Sequence, residues 1–199
     1  MAVINIPTGF SVARQTWEQA RLDMNFASIF GAQAVEVGSP LWSTTITSSL
    51  KRPEQWQAVM MQLRGRTNQL QLWNFGRPVP KGTMRGTMTA SAASMGATSM
   101  TITAAGQGGR TLLTGDYLGV GAGVTQQVVM VTADATSNGS GVITVTFEPA
   151  LRNALSGGAV VTWDRPKALF RRTDSKAGWD YEPGVVKEMS MSLLEDWRA

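Results

Sequence analysis

The chain has 199 residues, of which 43% are hydrophobic and 16% are charged, with 18 basic against 14 acidic side chains. This composition is too apolar for a disordered chain and only mildly basic, so we expect a folded protein of one domain or two small ones. The sequence contains neither Cys nor His, which excludes disulfides, thiolate and imidazole metal sites, Cys nucleophiles and Ser-His-Asp catalysis. An oxygen-ligand cation site stays open, but no motif indicates a cofactor and none is predicted.

The N-terminal residues, MAVINIPTGF, do not resemble a secretory signal, because no basic segment precedes an apolar one. No apolar run approaches the ~18 residues that indicate a membrane span. We therefore expect a protein that folds in a cytoplasm and does not insert into a membrane.

The first clear elements are a strand and a helix. A period of two, typical of a strand, runs through the segment from residue 42 to residue 50. The residues that alternate there with smaller polar ones are Trp42, Thr44, Ile46, Ser48 and Leu50. Pro53 and Glu54 then suit the first turn of a helix, and Gly65 is placed to end it. The helix carries an apolar stripe at positions i, i+3, i+4 and i+7, formed by Trp56, Val59, Met60 and Leu63. The segment NQLQLWNF after it predicts another strand.

Basic residues are concentrated around this helix and after it, where Glu54 is the only acidic residue. The set consists of Lys51, Arg52, Arg64, Arg66, Arg77, Lys81 and Arg85. We interpret it as a solvated or subunit-facing surface, and a phosphate track is the alternative.

The composition changes near Lys81, where small residues become dominant, and changes back near Arg165. We therefore predict an inserted β module over 81–165, in a host domain formed by 1–80 and 166–199. Within the insert, Met100 and Ile102 share one face of a predicted strand, and Ile143, Val145 and Phe147 share a face of another. Asn138 and Gly139 suit the hairpin turn between QQVVMV and VITVTF. These short strands, spaced by turns, favour a small barrel or sandwich.

The run GVGAGV superficially resembles a phosphate-binding loop, but strand-forming residues rather than a helix follow it, so a tight hairpin is the better interpretation. Further on, VVKEMSMSLLEDW places Met189, Met191 and Leu193 on one face. This pattern favours a strand, with a helix as the alternative. The predicted fold class is mainly β: an α+β hub with one amphipathic helix, plus an inserted all-β barrel or sandwich.

Seven Trp residues are available to fill a core or to contact a partner. Trp42, Trp56 and Trp73 lie in apolar patterns and are predicted to be core. Trp179 and Tyr181 lie in the polar loop DSKAGWDYEPG. We predict an exposed contact there, either a subunit interface or a surface on which a ligand stacks.

The segments INIPTGF, SIFGAQAVEVGSPLW, PEQWQAVMMQLRGR and LQLWNF follow one another in an order that resembles the distal tail proteins of long-tailed bacteriophages and prophages. The resemblance extends to TLLTGDYLGVG and to the return VTWDRPKALFR. It implies a hub that assembles with itself into a hexameric ring at the distal end of the virion tail, between the tail tube protein and the tail-tip hub protein. It also implies an outward-pointing module, assembly in the host cytoplasm and no catalytic residues.

Three other functions stay open. A module that binds host surface glycans is suggested by the Trp count and the barrel-like insert. A small glycoside hydrolase would need facing carboxylates, for which the sequence offers the neighbours Glu195 and Asp196, or Asp180 and Glu182. Nucleic-acid binding, and sequence-specific binding above all, is disfavoured because the insert interleaves few aromatic with few basic residues.

Overall fold

The computed structural model describes residues 1–29, 31–49, 53–180, 182 and 187–196. Its elements in chain order are β1 (Val3–Asn5), β2 (Val12–Ser28), β3 (Gly31–Ser48), α1 (Pro53–Gln62), β4 (Gln69–Leu72), β5 (Met88–Ala90), β6 (Ser99–Thr103), β7 (Thr111–Leu112), β8 (Tyr117–Val120), a 3-10 turn (Gly123–Thr125), β9 (Gln127–Val131), β10 (Ala135–Thr136), β11 (Val142–Glu148), β12 (Ala159–Thr162), β13 (Ala168–Arg172) and β14 (Ser190–Glu195). The fold is mainly β with one α-helix in this described part, which confirms the predicted fold class.

The chain divides into two compact units. The first comprises Met1–Glu18, Trp42–Gly76 and Lys167–Ala199, and the second comprises Gln19–Leu41 and Arg77–Pro166. The predicted division into a hub domain, 1–80 with 166–199, and an inserted module, 81–165, stays a prediction. The sequence did not indicate that Gln19–Leu41 belongs with the second unit.

The first unit is built on a six-stranded sheet in the order β1-β4-β13-β14-β3-β2. Helix α1 buries Trp56, Val59 and Met60, and Leu63, directly after the helix, is buried too, as the apolar stripe predicted. The Trp56 ring stacks on Phe10 with ring centroids 4.7 Å apart, and its indole N–H donates to the Ser11 carbonyl at 2.9 Å. The helix ends at Gln62, and the turn after it contains two residues with positive φ, Arg64 at +47° and the predicted Gly65 at +65°.

The strands predicted in this unit are confirmed where the structure describes them. On β3, Trp42, Thr44, Ile46 and Ser48 are all buried, and Leu50 lies outside the described residues. At the C-terminal end, Met189, Met191 and Leu193 are buried at every second position and β14 pairs with both β3 and β13. The helical alternative for that segment is therefore wrong.

Two of the three tryptophans predicted to be core are buried, namely Trp42 and Trp56. The prediction for Trp73 is wrong, because this residue follows the end of β4 and is only half-buried. Its ring lies 4.9 Å from that of Phe75, and the Lys167 ammonium lies 5.8 Å from its centroid.

The second unit contains a closed six-stranded barrel in the order β11-β6-β5-β12-β8-β9, which settles the choice between barrel and sandwich. The alternating residues of β6 and β11 fill its interior as predicted: Met100, Ile102, Ile143, Val145 and Phe147 are all buried. The run GVGAGV covers the end of β8 and most of its connection to the antiparallel strand β9, which includes the 3-10 turn, so the hairpin interpretation is confirmed.

The turn chemistry predicted before β11 is wrong in detail. The residue with positive φ is Gly141, at +77°, rather than Asn138 or Gly139. The Asn138 side-chain oxygen instead accepts hydrogen bonds from the amides of Ser140 and Val142, both at 3.0 Å. The Asn138 side chain thus closes this turn, and the left-handed residue is the last one before β11.

Asp116 anchors the start of the module. Its buried carboxylate accepts hydrogen bonds from the backbone amides of Lys81 at 2.6 Å, Gly82 at 3.0 Å and Leu113 at 2.8 Å. Buried charge is tolerated when hydrogen bonds replace its hydration. The carboxylate thus ties the chain at Lys81, where the composition changes, to the loop before β8.

Candidate interaction surface on the long hairpin

Strands β2 and β3 contain 17 and 18 residues, whereas strands of globular proteins usually have ~3–10. Strand β14 pairs with β3 from Ser43 to Thr47, and β2 is the terminal strand of the sheet. Residues 19–41 extend past that pairing, and we name them the arm. Two-stranded ribbons are marginally stable by themselves in water, so the arm gains from any surface that covers it.

The arm exposes large apolar side chains. On β2, Leu22, Met24 and Phe26 alternate with polar residues and so share one face; they are 63%, 54% and 59% exposed. The neighbouring exposed apolar residues are Ile29, Val35 and Val37. Clusters of exposed apolar side chains mark contact surfaces on soluble proteins.

Arg21 holds the base of the arm. Its Nε donates to the Gln19 side-chain oxygen at 3.0 Å, and its Nη2 donates to Glu148 Oε2 at 3.2 Å, which links the arm to the barrel strand β11. Its Nη1 lies 3.7 Å from Glu36 Oε1 on the other strand of the arm. These groups are exposed, so the pairs orient the arm while contributing little to stability.

The tip of the arm carries a shallow cavity of about 360 Å³. It is lined by Phe26, Ala27, Ser28, Gly31, Ala32 and Gln33. The cavity is thus lined by Phe26, at the end of the apolar face, together with residues that have small side chains and Gln33. An approaching chain can therefore make both apolar and backbone contacts there.

The sequence did not single out the arm as a site. The signal was present, since Leu22, Met24 and Phe26 alternate with Arg21 and Asp23 before Gly31. Alternation predicts a strand with one apolar face, but it does not reveal whether a core covers that face.

The predicted contact residue Trp179 is 41% exposed, while Tyr181 lies outside the described residues. Exposure is what a contact requires, and the role of Trp179 stays a prediction.

The predicted basic set is distributed over both units. Lys51 and Arg52 lie outside the described residues, Arg64 and Arg66 belong to the first unit, and Arg77, Lys81 and Arg85 belong to the second. Arg85 has a structural role: its guanidinium donates to the carbonyls of Pro80, Gly82 and Met84 and lies 5.0 Å from the Trp163 ring centroid. Interface contact by the remaining members stays a prediction.

The neighbouring carboxylates Glu195 and Asp196 are buried rather than solvated. Glu195 Oε2 accepts the Trp42 amide at 2.9 Å, and Asp196 Oδ2 accepts the Gln69 side-chain amide at 2.9 Å. Both carboxylates therefore fasten strands of the first unit together.

No protein-family model matches the chain, and a search of curated proteins found no match. Within the part of the chain that the structure describes, no helix is long and apolar enough to cross a membrane. The same described ranges bring together no group of three or more Asp or Glu side chains that could hold a metal ion.

Proposed function

We propose that this protein is a structural subunit of a bacteriophage tail tip, where copies of it form a ring that joins the tail tube to the host-adsorption apparatus. The observation that carries the proposal is the arm, a long hairpin that exposes Leu22, Met24 and Phe26 on one face. In a ring, a neighbouring copy covers that face. The tail tube protein and the tail-tip hub protein are the proposed partners above and below.

The arm fits a ring for two physical reasons. Its two outer edges belong to different strands, β2 and β3. A contact between the β2 edge of one copy and the β3 edge of the next is therefore head-to-tail, and such contacts form a ring when the rotation between copies closes. Strand edges also carry backbone groups that pair readily with another chain. A closed ring leaves no such edge free in the assembled state.

The hub-and-module organisation also favours the proposal. The sheet of the first unit and α1 form a packed body that supplies the rigid part of a ring subunit. The closed barrel of the second unit has its own apolar core, which allows it to vary without disturbing the sheet.

Immuno-electron microscopy of the phage particles that contain this chain tests its location. Antibodies against the purified protein are expected to label the distal end of the tail. Label confined to the capsid, or spread along the whole tail, would contradict the proposal. Antibodies against the major tail tube protein provide the control for access to the tail.

A second candidate function is glycan binding at the host surface, which is favoured by the 41% exposure of Trp179 in a polar loop. On a glycan array, this function predicts binding that Trp179→Ala abolishes. Trp163→Phe is a suitable control, because the Trp163 ring is already occupied by Arg85. If the unmodified protein binds no glycan on a broad array, this candidate function is ruled out.

A further inference from the structure

Three arginines line one cavity of the first unit. The cavity measures about 200 Å³, and its lining consists of Arg66, Arg171, Arg172, Thr173 and Leu194. Arg66 lies in the exposed turn after α1, whereas Arg171 and Arg172 are the last two residues of β13. The turn and the strand end thus bring three permanent positive charges to one place.

Two carboxylates only partly offset these charges. Asp196 Oδ1 lies 3.8 Å from Arg171 Nε, and Asp174 is paired with Arg172 Nη2. Three arginines against two carboxylates leave a formal surplus of one positive charge. The Arg171 side chain is 42% exposed, so its guanidinium can contact a molecule from solution.

Arg172 provides the second observation. Its side chain is only 3% exposed, and Nη2 also donates to the Lys176 carbonyl. Nε and Nη1 of the same guanidinium are buried and find no hydrogen-bond partner among the residues that the structure describes. Buried donors of a charged group without acceptors are costly, so this guanidinium favours any ligand that brings acceptor oxygens.

We propose that this cavity is a binding site for a phosphate-type oxyanion. Guanidinium groups match the oxygens of such anions in a two-pronged geometry, and several of them together favour an anion with more than one charge. Arg66 and Arg171 contact the anion from the exposed side, and the surplus charge of the cluster attracts it. The site lies in the first unit and does not depend on the proposed ring.

Isothermal titration of the purified full chain with inorganic phosphate, at constant ionic strength and against sodium chloride, tests the proposal. Saturable binding at one site per chain is expected. The double variant Arg66→Gln/Arg171→Gln is expected to bind at least tenfold more weakly. It changes exposed side chains, and the Gln69 side-chain amide still donates to the buried Asp196 carboxylate when Arg171 is replaced. Arg14→Gln removes an exposed arginine of the first unit outside this cavity and is expected to leave phosphate binding unchanged.

Each outcome decides the proposal. Absence of saturable phosphate binding, or equal weakening by Arg14→Gln, would overturn it. Acetate is planar and singly charged, and it is expected to bind at least tenfold more weakly than phosphate; equal binding would overturn the assignment to a phosphate-type anion. Circular dichroism of each variant confirms that the fold is intact before its binding is compared.

Discussion

Replacing the apolar face of the arm should weaken self-assembly more than it weakens the fold. The change is the triple variant Leu22→Thr, Met24→Thr and Phe26→Thr. Thr suits a strand and removes most of the apolar surface. Because these residues are 54% to 63% exposed in the single chain, the substitutions remove less apolar burial from the fold than from the contact between copies.

The size of the effect follows from the exposed fractions. Complete burial of one such side chain is worth ~1.5–3 kcal/mol. Slightly more than half of each side chain is exposed, so a neighbouring copy that covers it gains ~1–2 kcal/mol per residue. The three residues together contribute about 3–5 kcal/mol per contact, and losing this free energy weakens association by about 150- to 4,000-fold.

Sedimentation velocity over a concentration series measures this change. The unmodified chain should assemble at concentrations at which the triple variant remains a single copy. Val160→Thr is the matched control, because Val160 is an exposed strand residue of the barrel, 51% exposed, and its substitution should leave assembly unchanged. If the triple variant assembles with unchanged affinity, the arm does not carry the contact.

Three further predictions concern the barrel module. Asp116→Asn places an NH2 group against a backbone N–H, so it should lower the free energy of unfolding, measured with urea, by about 2 kcal/mol. Asp134→Asn, at an exposed carboxylate, should have a much smaller effect. Equal effects would mean that the Asp116 carboxylate does not anchor the module. Gly141→Ala places a Cβ 2.0 Å from the Ala104 carbonyl oxygen at a φ of +77°, so it should lower the free energy of unfolding by at least ~2 kcal/mol. Gly109→Ala, at a φ of +68° with no atom within 4 Å of the new Cβ, should lower it by only ~1 kcal/mol. Hydrogen bonds from the backbone amide of Thr114, and then from its hydroxyl, lower the pKa of Asp134. The stabilisation of the fold by these hydrogen bonds is therefore present above the pKa of the unfolded state and is lost as the pH falls through the lower pKa of the folded state. An NMR titration that shows an ordinary pKa for Asp134 would contradict this.

Periodicity predicted the elements that bury one face. The apolar stripe from Trp56 to Leu63 coincides with α1 and the residue after it, and the alternation from Met189 to Leu193 coincides with the start of β14 and the residue before it. The apolar residues of both patterns are buried, as the sequence predicts. In each case the spacing of apolar residues is itself the physical cause of the element. This is why the fold class could be predicted from the sequence.

Features that depend on distant contacts could not be predicted. Only the fold brings the backbone amides of Lys81 and Gly82 to the Asp116 carboxylate. Arg66 and Arg171 likewise meet because the turn after α1 lies beside the end of β13. The exposure of Phe26 is also a property of the fold, since alternation does not show which apolar face remains uncovered.

Light scattering of the purified chain, across a range of concentrations and ionic strengths, tests the ring most directly. One copy has a mass of 21.4 kDa. The proposal predicts a discrete assembly of six copies, six times 21.4 kDa or about 128 kDa, as expected of a closed symmetric ring. A mass of 21.4 kDa at every concentration and ionic strength would contradict it.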